Sequence, residues 1–70
     1  MLDRKKFIFT FGSGQKHENG YVIVWADNSK NARQLMFDNY DMQWSMEYDS
    51  EESAGVDRWR LHLVGVLSQN

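Results

Sequence analysis

Residues 7–20 read FIFTFGSGQKHENG, and the fold turns on how this stretch is read. Phe7, Phe9 and Phe11 alternate with Ile8 and Thr10, the two-residue period of a strand. Gly12 and Gly14 then bracket Ser13, and Gln15, Lys16, His17, Glu18 and Asn19 follow. The most apolar strand therefore runs into the most polar and most permissive loop. Asn19 followed by Gly20 is a turn signal. Residues 21–26, YVIVWA, make a second strand, with Tyr21, Ile23 and Trp25 on one face and Val22, Val24 and Ala26 on the other. Apolar residues on both faces mean that this strand is covered on both sides, or becomes so on assembly. The first strand is expected over 6–11, and the two strands form a hairpin.

Outward from the hairpin, Asp27, Asn28 and Ser29 are all good helix caps. Ala32, Leu35, Met36 and Tyr40 then fall at helical spacing on one apolar face, which Phe37 widens. Lys30, Arg33, Gln34 and Asp38 are left for solvent. A third strand is expected over 43–48, from Gln43, with Trp44, Met46 and Tyr48 on one face and Ser45 and Glu47 on the other. The acidic connection at 49–57 holds Ser50, Glu51, Glu52 and Ser53, which start one helical turn that Gly55 ends. The fourth strand is expected over 58–67. Trp59, Leu61, Leu63 and Leu67 would share one face; Arg58, Arg60, His62, Val64 and Val66 the other; Gly65 would mark a bulge.

These elements predict a single α+β domain over 1–70, in the order β-β-α-β-β. Two hairpins joined through the helix give an antiparallel four-stranded sheet of order 2-1-3-4, with one helix on one face. A lone helix covers one face only. The other face then carries aromatic and aliphatic residues that a second subunit or a target must bury, and a homodimer is the expected assembly.

Composition narrows the chemistry. A chain of 70 residues buries only about 60% of the surface its unfolded form exposes, so its core is small. With no cysteine, disulfides and thiolate metal sites are excluded. His17 and His62 alone do not close a zinc site, and neither a metal nor a cofactor is expected. The longest apolar runs are too short for a membrane span or a signal peptide, and the absence of cysteine is compatible with a cytoplasmic location. The net charge of −2 weighs against broad nucleic-acid binding. Ten aromatic residues are more than so small a core hides, so one or two rings are expected at a partner or ligand.

Three places are candidates for function. In the 12–17 turn, Gly12 and Gly14 let the backbone expose successive amides, which together bind anions. Ser13 and Gln15 add neutral donors there, and Lys16 and His17 can add positive charge. An aromatic such as Trp44 or Tyr48 would stack on a bound base. The plainer alternative is a flexible loop, since neither a P-loop nor a dinucleotide fingerprint is present. Second, six acids (Asp41, Glu47, Asp49, Glu51, Glu52 and Asp57) and no Lys or Arg lie between positions 41 and 57. Such a strip mimics a phosphate backbone in a basic groove, or is simply a solvated loop. Third, Trp25 and Trp59 suit a protein interface, with Glu51 and Glu52 as its acidic rim, unless the rings are core. Catalysis is poorly supported: Ser13, His17 and Glu18 are loop neighbours, and Glu47 with Asp49 lacks a desolvated cleft.

The runs KFIFTFGSGQKHENGYV, ADNSKNARQLMFDNY and WSMEYDSEE resemble a family of very small proteins from phages and prophages of Gram-positive bacteria. The resemblance rests on a Phe-rich strand, a Gly-x-Gly-Gln-x-His turn, and Gly12, Gly14, Gln15, His17, Tyr21, Ala32, Arg33, Met36, Phe37, Trp44 and Tyr48. It covers about residues 5–53 and stops short of residues 58–67. It implies a phage origin, action in the cytoplasm of the infected bacterial host, and antagonism of host antiviral defence. Two mechanisms follow from that expectation. One is sequestration of a nucleotide-like ligand at Gly12, Ser13, Gly14, Gln15, His17, Trp44 and Tyr48. The other is an anti-CRISPR-like block of a host nuclease through Trp25, Trp59, Glu51 and Glu52. A structural or regulatory phage module, with Arg58, Trp59 and Arg60 touching single-stranded nucleic acid, is the third reading.

Overall fold

The alternation of the first two strands folds as a hairpin at the centre of the sheet. A computed structural model describes residues 4–41 and 44–69; residues 1–3, 42, 43 and 70, among them the expected strand residue Gln43, lie outside it. The elements are β1 (Lys5–Thr10), β2 (Gly20–Ala26), α1 (Ser29–Tyr40), β3 (Met46–Tyr48), α2 (Glu51–Ala54) and β4 (His62–Ser68). β1 and β2 pair antiparallel, with Phe7 opposite Val24 and Phe9 opposite Val22. β3 pairs antiparallel with the other edge of β1, with Ile8 opposite Tyr48 and Phe9 opposite Glu47.

The sheet departs from the expected 2-1-3-4 antiparallel order. Its order is β3-β1-β2-β4, and β4 runs parallel to β2. The cause lies in residues 49–61. Ser50 caps α2 by accepting from the Ser53 amide, and Gly55 ends it in the left-handed region at φ 76°. The Val56 amide reaches back to the Glu51 carbonyl at 3.1 Å, and the Leu61 amide to the Val56 carbonyl at 2.9 Å. Arg60, at φ 52°, cannot be part of a strand. The expected strand start at Arg58 is therefore replaced by turns, and the hairpin between β3 and β4 does not form. The chain instead crosses the face opposite α1, and β4 begins at His62 on the far edge.

Helix α1 covers one face. Asn28 Oδ1 caps it through the Asn31 amide at 2.9 Å. Ala32 and Met36 are buried against Phe9, Phe11, Val22, Val24 and Ala26, with Leu35 and Tyr40 alongside. Phe37, expected on that apolar face, is half exposed.

The opposite face is divided. α2 packs against β1 and β3, and Ile8 and Ala54 are buried there. The single-helix expectation is corrected to this extent: a second, one-turn helix, legible as a turn in the sequence, covers the β1–β3 half. The β2–β4 half has no such cover among the described residues. Trp25, Leu63 and Val66 stand exposed on it by 38%, 50% and 55%.

A bulge explains why Leu63 and Val66 share that half. The β2–β4 register runs from Tyr21 opposite Leu63 to Val22 opposite Gly65, which leaves Val64 as the extra residue. The alternation flips there, so Val64 and Leu67 pack on the core and the expected pairing of Leu63 with Leu67 on one face is lost. Gly65, expected to mark a bulge, adjoins it. A Cβ at Gly65 would lie 2.7 Å from the Tyr40 hydroxyl, so the absent side chain is what lets α1 approach β4.

The strand ends are tied together by Gln69. Its Oε1 accepts from the Asp27 amide at 3.0 Å and from Asn31 Nδ2 at 3.2 Å, and its Nε2 donates to Asp27 Oδ2 at 3.1 Å. The Arg4 guanidinium donates to the Gln69 carbonyl and lies 3.0 Å from Asp27 Oδ1. The start of β1 and the ends of β2 and β4 are thus held as one unit. No helix among the described residues is long and apolar enough to cross a membrane.

Candidate functional site

The glycine turn is internally bonded. Gly12 N–H donates to the Gln15 side-chain carbonyl, Gly14 N–H to Glu18 Oε1 at 2.9 Å, and Gln15 N–H to the Gly12 carbonyl at 3.1 Å. Glu18 N–H donates to the Gln15 carbonyl at 3.1 Å. An anion arriving at Gly14 would have to displace the Glu18 carboxylate. Ser13 lies exposed at the tip. His17 does not point into a cradle. Its ring meets Phe11 edge-to-face at 5.1 Å and Tyr40 at 5.6 Å, and these contacts pin the loop to the core. Gly12, Ser13, Gly14, Gln15 and His17 are thus brought together, as a closed loop.

The two rings expected to stack on a base are separated. Trp44 packs edge-to-face on Phe9 at 4.9 Å, on the α1 side of the sheet. Tyr48 lies opposite Ile8 on the other side. The expected common face of Trp44, Met46 and Tyr48 fails because β3 begins only at Met46, and the strand alternation does not extend back to Trp44. Glu47, one of the six acids of the expected strip, is engaged within the fold. It turns toward α1, accepting from Ser29 Oγ at 2.6 Å and from Arg33 Nε at 3.0 Å.

Of the expected partner-facing residues, Glu51, Glu52 and Trp59 meet at one concavity, and Trp25 is linked to it through Lys6. Glu51, Glu52, Asp57 and Trp59 line a concavity of about 470 Å3 between α2 and the turn after it, with Arg58 at its edge. Trp59 is 67% exposed, and one side of its ring lies against Gly55, where a Cβ would come within 2.5 Å of it. Lys6 connects this concavity to the open half of the sheet. Its ammonium sits 5.9 Å from the Trp25 ring centroid and 2.8 Å from Glu51 Oε1. That hydrogen bond from Lys6, with the backbone amide of Glu51 itself, holds the Glu51 carboxyl below its ordinary value. Trp25, Leu63 and Val66 then continue the apolar surface.

Leu63 and Val66 were missed as surface residues because the bulge that turns them outward leaves no local signal beyond Gly65. A second concavity, of about 460 Å3, was also missed; it is lined by Lys30, Arg33, Gln34, Phe37 and Trp44. Four of these residues stand at helical i, i+3, i+4 and i+7 spacing, which the sequence does display. Among the described residues, no cluster of three or more His, Asp or Glu side chains is placed to hold a metal ion. Comparison with family models, with curated proteins and with solved structures finds no match for this chain.

Proposed function

We propose that this chain is a non-enzymatic phage protein that acts by binding, and that it blocks a host defence protein by occupying its nucleic-acid groove. The supporting observation is the joined surface formed by the open β2–β4 half of the sheet and the α2 concavity. It combines exposed apolar residues (Trp25, Leu63, Val66 and Trp59) with the carboxylates of Glu51, Glu52 and Asp57. A complementary partner presents an apolar patch rimmed by Lys and Arg, as a nucleic-acid enzyme does around its phosphate path. Tryptophans are among the residues most often found as anchors of protein interfaces. The alternative, sequestration of a nucleotide at the 12–17 turn, is less well supported because the Gly12, Gly14 and Gln15 amides are already bonded within the loop.

The experiment is a paired capture from the bacterial host. The protein and a Leu63→Thr/Val66→Thr/Trp59→Ala variant are immobilised side by side. The reading expects a nucleic-acid-binding protein that is retained only by the unaltered chain and is displaced by added DNA. Equal retention by both, or retention indifferent to DNA, overturns it.

A further inference from the structure

The groove between α1 and Trp44 differs in chemistry from the α2 concavity. Lys30, Arg33, Gln34 and Phe37 occupy one flank of α1 over two turns, and Trp44 forms the facing wall. Among the described residues, no carboxylate lines the groove. Glu47 is spent on Ser29 and on the Nε of Arg33, and Asp38 on the Gln34 side chain at 2.9 Å. Lys30 makes no ion pair among the described residues, whereas Lys6 and Arg33 each do. Phe37 is 49% exposed, although its neighbour Met36 is fully buried. Trp44 is half-buried and packs edge-to-face on Phe9, so it has less freedom to lose when a ligand arrives than a fully exposed ring.

A planar heterocycle needs aromatic surface, a phosphate needs a cation, and the edge of a base needs an amide. Phe37 with Trp44, Lys30 with Nη1 of Arg33 (its Nη2 donates to Ser29 Oγ at 3.0 Å), and Gln34 supply these in that order. The groove's volume, about 460 Å3, lies within the range of small-molecule sites. We infer that this groove binds a nucleoside monophosphate, with the base against the Trp44 and Phe37 rings and the phosphate at Lys30. The site is separate from the partner surface proposed above, since it lies on the α1 side of the sheet. Aromatic stacking and charge pairing are both individually weak here, so binding requires both halves of the ligand.

The test is titration of the 15N-labelled protein with each of the four ribonucleoside monophosphates, and with the matching nucleosides and inorganic phosphate as controls. At least one monophosphate should shift the Trp44 indole N–H together with amides 30–37, and weaken as salt is raised. Phe37→Ala and Lys30→Glu, both at exposed positions, should each weaken that binding about ten-fold or more, while Leu63→Thr/Val66→Thr leaves it unchanged. The inference fails if no monophosphate moves these resonances at millimolar concentration, or if the shifts survive both α1 substitutions. It also fails if phosphate or the nucleoside alone binds as tightly. None of these results bears on the paired capture experiment, which reads the opposite face.

Discussion

Val66 of β4 lies directly opposite Ile23 of β2 in the parallel pair, yet its side chain is 55% exposed. A β-branched residue in mid-strand, beside an apolar neighbour, contributes little to the isolated fold from that position. Replacing Leu63 and Val66 with Thr keeps strand propensity on β4 and removes only exposed apolar surface. The double variant should unfold within about 1 kcal/mol of the unaltered chain by urea titration, and should lose partner capture. A loss of several kcal/mol would mean that the two residues are buried in the free protein.

Phe9 is the largest fully buried side chain and touches both α1 and Trp44. Phe9→Ala should cost about 3–5 kcal/mol. In a domain of this size that is most of the total stability, so far-UV circular dichroism at 25 °C should show a partly or wholly unfolded population.

Much of this centre was legible before the structure. The alternation at 7–11, the Asn19–Gly20 turn and the run YVIVWA are local signals, and they gave the β1–β2 hairpin correctly. Ser50 and Gly55 likewise gave the α2 turn. The path after α2 was not legible, because a connection that recrosses the sheet and a hairpin can start from the same short turn. The left-handed Arg60 decides between them, and no residue type announces it. The same holds for the sites. Glu51, Glu52 and Trp59 are close in sequence, whereas Trp44 meets Lys30 and Phe37 only through tertiary packing.

The Lys6–Glu51 pair gives the fold a pH dependence of known sign. The Glu51 carboxyl is held below its ordinary value of 4.5, mainly by the Lys6 hydrogen bond. A depressed folded value means that the pair stabilises the fold above pH 4.5, and that this contribution disappears as pH falls through the folded value. Both side chains are about a third exposed, so the effect should not exceed about 1 kcal/mol. Glu51→Gln should flatten the unaltered chain's loss of stability below pH 4.5, measured by thermal melts across pH 2–7. An unchanged acid limb would show that the pair contributes nothing.

Gly14 sits at φ 85° with open space where a side chain would go. Gly14→Ala should therefore cost about 1–2 kcal/mol through backbone strain alone. Because the Gly14 amide is already bonded to the Glu18 carboxylate, neither partner capture nor nucleotide titration should change. A selective loss of nucleotide binding in this variant, with stability intact, would return the ligand site to the 12–17 turn.

Under the proposed function, the bare β2–β4 half of the sheet is completed by another protein. Hydroxyl-radical footprinting of the protein, free and in complex with its captured partner, tests this most directly. Trp25, Trp59 and Leu63 should be oxidised in the free chain and protected together in the complex, while Phe37 on the α1 side stays reactive. Protection of Phe37 in the complex, with Trp25 and Leu63 still reactive, would contradict the account.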